Sequence, residues 1–67
     1  MSSVEIRDRL RELAQERMAA EDAGLTADAA YMADLDSEVL ECRLALVGAL
    51  VTEIAVFRGE LFGRNAG

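Results

Sequence analysis

The sequence predicts an all-α fold, an antiparallel helical hairpin, on three observations. The 67 residues hold no proline, one Tyr and two Phe, while Ala, Leu, Glu and Arg dominate, a composition of helix formers. Apolar residues recur at spacings of three and four through two long stretches. One short break, AGLT at residues 23–26, separates those stretches. A single domain over 1–67 is expected. It comprises helix 1 at about 3–22, a turn at 23–26, helix 2 at about 27–62 and a tail at 63–67.

Helix 1 opens at SSVE, where Ser2 as N-cap and Glu5 three residues on match a capping box. Ile6, Leu10, Leu13, Ala14 and Met18 then form one narrow apolar stripe. Gly24 is placed to take the left-handed conformation that ends a helix. Thr26 is the expected cap of helix 2, with Asp28 in its first turn. So short a connection turns the second helix back along the first.

Helix 2 is expected to run unbroken through DLDSEV, because no Pro or Gly interrupts it there and the apolar period continues. Glycines at 59, 63 and 67 mark its expected fraying. Residues 32, 35, 39, 42 and 46 make a seam of alternating three and four. A tight turn near Gly24 pairs Ile6 with Cys42, Leu10 with Val39, Leu13 with Leu35 and Met18 with Met32 or Tyr31. The seam continues through Ala49, Glu53 and Glu60, turning acidic where the shorter helix runs out. On this register Arg7 and Arg11 pair with Glu38 and Glu41, and Glu53 faces solvent.

Two further faces of helix 2 have no partner in the hairpin. Leu40, Leu44, Val47, Val51, Ile54 and Leu61 form a second heptad line, with Arg58 in its one polar slot. Ala45, Gly48, Thr52, Ala55 and Gly59 form a line of small residues that permits close backbone approach. A large apolar patch on so small a chain marks a protein interface. The expected assembly is a homodimer of four-helix type, antiparallel and two-fold symmetric, that joins these two lines.

Composition excludes several other classes. A lone Cys42 permits no disulfide within the chain, and with no His it permits no structural zinc site. Small domains without those supports commonly gain stability by oligomerising. Cys42 lies on the core seam, where a structural thiol is expected, and there is no His to activate it. Neither catalysis nor a cofactor or metal is therefore expected. Asp34, Asp36 and Glu38 lack the glycine of a calcium loop. A net charge of −6 disfavours nucleic-acid and anionic-membrane partners. LALVGALVTEIAVF, residues 44–57, is too short to span a bilayer and carries Glu53 within it. The charged N-terminus has no apolar core of a secretory leader, and a free thiol suits a reducing cytoplasm.

The chain is thus expected to act as a small homo-oligomeric adaptor, regulator or structural subunit with itself as partner. Two alternatives remain at this stage. One is a subunit or inhibitor that docks its apolar helix on a different protein. The other is an acidic mimic of nucleic acid.

Overall fold

The computed structural model describes residues 1–62, and the tail at 63–67, with Gly63 and Gly67, lies outside the described residues. Helix α1 spans Ser3–Asp22 and helix α2 spans Ala29–Phe62. The described residues contain no strand. α2 passes through Asp36, Ser37 and Gly59 without a break. The molecule is elongated, with extents of 61 × 16 × 11 Å.

Local chemistry sets each boundary. Ser2 holds extended backbone, and its hydroxyl accepts a hydrogen bond from the Glu5 N–H at 3.3 Å. At the other end of α1 the Gly24 N–H donates to the Glu21 carbonyl, and Gly24 adopts φ 75°. A side chain there would be strained, so glycine suits the position. One 3-10 turn, Leu25–Ala27, then intervenes. Thr26 lies inside that turn and does not cap α2. Asp28 does: its carboxylate accepts from the Tyr31 N–H at 3.0 Å, and its carbonyl accepts from the Met32 N–H. A carboxylate at this position also favours the helix dipole.

The extra turn delays the start of α2 and slides the two helices past one another. Ser3 stands against Glu53, and Ile6 shares a cleft with Ala45 and Ala49. At the open end of the hairpin the pairing is displaced by roughly one to two helical turns from the tight-turn register. The inner line of α1 is accordingly Ser3, Ile6, Leu10, Leu13, Arg17 and Ala20, all buried or half-buried. Met18 falls off that line and is 65% exposed. Ala20 is buried instead, and Arg17 reaches Asp36.

On α2 the inner line is Met32, Leu35, Val39, Cys42, Leu46 and Ala49, the expected seam with its period intact. Only Leu35 on it is fully buried, and Cys42 is half-buried. A pair of helices shields each seam from one side, so most of these side chains keep one edge in water. Among the described residues Leu13 is the one large side chain with no exposed surface.

Glu53 is the main correction to the expected register. Its carboxylate accepts from the Ser3 N–H at 3.2 Å and from the Ser3 hydroxyl at 2.9 Å. It therefore satisfies one of the free N–H groups at the start of α1 and places negative charge at the positive end of that helix dipole. Glu53→Ala should cost about 1 kcal/mol of hairpin stability, read as a lower midpoint in urea, with Glu53→Gln intermediate.

The cross-helix ion pairs differ from the expected ones. Arg9, rather than Arg7 or Arg11, meets Glu38, and Arg17 meets Asp36. Arg9 also contacts Glu12, and Arg11 contacts Asp8 within α1. The hydrogen bond to Glu38, followed by that to Glu12, raises the Arg9 pKa above its ordinary value. The Tyr31 hydroxyl donates to Glu16 at 3.1 Å, and this bond raises the phenol pKa. All these groups remain exposed enough for each pair to contribute modestly.

Candidate interaction surface

α1 occupies one side of α2, and the opposite side is bare. Leu40, Leu44, Val47, Val51, Ile54 and Leu61 lie there and are 48–64% exposed. Successive members are three, four or seven residues apart, so one straight stripe runs along the helix. It is about 32 Å long from Leu40 to Leu61 at 1.5 Å per residue. Only four hydrophobic residues, Ile6, Leu13, Ala20 and Leu35, are buried among those described. More large apolar side chains thus face solvent on this stripe than are sealed in the core.

The small residues run along one shoulder of the stripe. Added Cβ atoms at Gly48 and Gly59 would meet nothing within 4 Å. Gly48 therefore costs α2 about 1 kcal/mol relative to Ala with no contact inside the chain that requires it. The Thr52 hydroxyl donates to the Gly48 carbonyl at 3.0 Å. That bond consumes the one polar group on the line and leaves Thr52 to offer its methyl outward. Ala45, Gly48 and Thr52 also border the cleft beside Ile6, so α1 reaches the rear edge of this line. Val51, Ile54, Ala55 and Arg58 surround a shallow open groove further along α2.

Three exposed apolar residues escape the expected pattern. Val56 follows the inner seam past Glu53, so that seam does not turn uniformly acidic. Leu50 and Phe57, one heptad apart, line the second shoulder, Leu50 half-exposed and Phe57 exposed. Their seven-residue spacing was the available signal.

Charge brackets the stripe at both ends. Glu41 and Arg43 lie beside its start, and Arg58 and Glu60 beside its end. Among the described residues none of these four makes an ion pair, whereas Arg9, Arg17, Asp36 and Glu38 pair across the hairpin. Asp34, Glu38 and Glu41 follow one another at helical spacing on α2, and the middle one is already taken by Arg9. No helix among the described residues is long and apolar enough to cross a membrane. No three potential metal ligands among them stand close enough to hold an ion. No family model, curated protein or solved structure matches the chain.

Proposed function

We propose that this chain is a non-enzymatic protein–protein interaction module, a homo-oligomeric adaptor, regulator or structural subunit. Its working surface is the apolar C-terminal half of α2. The exposed stripe from Leu40 to Leu61 carries this reading. Burying it removes about 25 cal/mol per Å² of apolar area from contact with water, more than isolated exposed side chains would justify. The hairpin supplies a rigid mount. α1 steadies the rear of α2, and the Ser3–Glu53 contact fastens the end nearest the stripe.

Sedimentation equilibrium across micromolar concentrations tests the proposal. The expected mass is a multiple of the 7.3 kDa chain. A monomer that stays monomeric and folded over that range would sink it.

A further inference from the structure

The charges at the two ends of the stripe point to one occupant. Resting on the reading of this face as an interface, we infer that a second copy of this chain covers it, laid antiparallel about an axis beside Gly48, with Glu41 of each copy meeting Arg58 of the other.

Glu41 lies on the shoulder of the stripe that carries Gly48 and Ala55, and Arg58, in the polar slot of the stripe, is on the side next to that shoulder. Arg43 lies on the other shoulder, with Leu50 and Phe57, and Glu60 lies on the inner seam. In an antiparallel helix pair each shoulder meets its own counterpart, whereas in a parallel pair the two shoulders cross. The antiparallel arrangement sets Glu41 of each copy against Arg58 of the other. Both contacts are between opposite charges, and the hairpin leaves Glu41 and Arg58 without an ion pair. A parallel pair in register instead stacks Arg58 on Arg58 of the other chain, which is repulsive.

The apolar side chains agree with the same axis. Leu44 falls opposite Ile54, and Val47 opposite Val51, so large meets large and small meets small. Leu40 packs on the aliphatic stem of Arg58, whose head group extends to Glu41. The polar slot in the stripe then has a use: it sets the register, as buried polar groups do in helix pairs. Gly48 approaches its own copy near the axis, where the space for a Cβ is empty.

The available area is of the right size. A compact monomer of 7.3 kDa exposes about 4,200 Å², and this chain exposes 5177 Å². Its radius of gyration is 17.5 Å, against about 11 Å for a compact chain of this length. The surplus, roughly 1,000 Å² over the whole elongated chain, is of the order of the roughly 800 Å² that each partner buries in a stable interface. The two copies of α2 would form the centre of a four-helix layer, with each α1 on the outside.

Charge reversal read by sedimentation tests the pairing. Glu41→Arg and Arg58→Glu should each weaken self-association about tenfold, and the chain carrying both should return to within about threefold of the parent. Singles that weaken association with no recovery in the double variant overturn the antiparallel pairing. A spin label at Ala33→Cys, in a Cys42→Ala background, gives a second reading. Antiparallel copies place the two labels about 48 Å apart along the axis. A separation near 20 Å means a parallel pair and overturns the inference. Val51→Glu separates the two levels. If it dissociates the dimer while the charge pair shows no coupling, only the antiparallel arrangement fails. If it leaves the mass unchanged, the face is no interface and the broader reading fails with it.

Discussion

Val51→Glu is expected to abolish assembly while leaving the hairpin folded. Val51 is 61% exposed in the chain, and no hydrogen bond or inner-seam contact of α1 depends on it. The free chain therefore accommodates a carboxylate there at little cost. In the assembled state the same carboxylate enters the middle of an apolar seam, where an unpaired charge costs several kcal/mol. Two-fold symmetry places it there twice. The dissociation constant should rise at least about a hundredfold, which is roughly 2.7 kcal/mol. Sedimentation velocity measures the mass, and far-ultraviolet circular dichroism at the same concentration reports whether the helices survive. Retained assembly would show that the stripe is not the interface.

The second large effect lies on the opposite side of α2. Leu13→Ala should destabilise the hairpin by about 2–4 kcal/mol, measured by urea denaturation at fixed protein concentration. Leu13 is the one large side chain among the described residues with 0% exposure, and it seats against the inner face near Val39 and Arg43. A two-helix core has few neighbours able to move into the space, so the cavity persists. A chain of this size has a total stability of roughly 3–10 kcal/mol, and the loss is a large share of it. A midpoint lowered by about 10 °C or more is expected on heating. Leu40→Ala, on the exposed stripe, should leave the hairpin far less affected. Equal losses at the two positions would mean that Leu13 does not anchor the core.

Much of the fold was legible because its signals are local. Ser2 caps α1 through Glu5, Gly24 takes positive φ, and α2 keeps one period across Asp36 and Ser37. Each depends on residues within one turn of one another. The inner line of α2 was legible for the same reason, since spacings of three and four identify a helix face without knowing what covers it. The Asp28 cap was hidden because Thr26 and Asp28 are both good capping residues. Backbone geometry alone chose between them.

Register was the level at which sequence reasoning failed, and the failure propagated. A connection two residues longer is a small local difference. The pairing is displaced most at the open end, where Ser3 meets Glu53, while Arg9–Glu38 and Glu16–Tyr31 keep the tight-turn register to within one residue. Glu53 changed from a solvent-facing residue to the group that fastens the start of α1. No pattern in the sequence marks that contact, because Ser3 and Glu53 are 50 positions apart.

By itself, then, the sequence determined two helices, the Ser2 cap and Gly24 stop of α1, and the apolar stripe from Leu40 to Leu61. These follow from propensity and periodicity, which act along the chain. Only the tertiary structure decided how far α1 slides along α2, which charges are consumed within the hairpin and which are left over. Those outcomes depend on the geometry of a single turn, carried about 30 Å along two rigid helices.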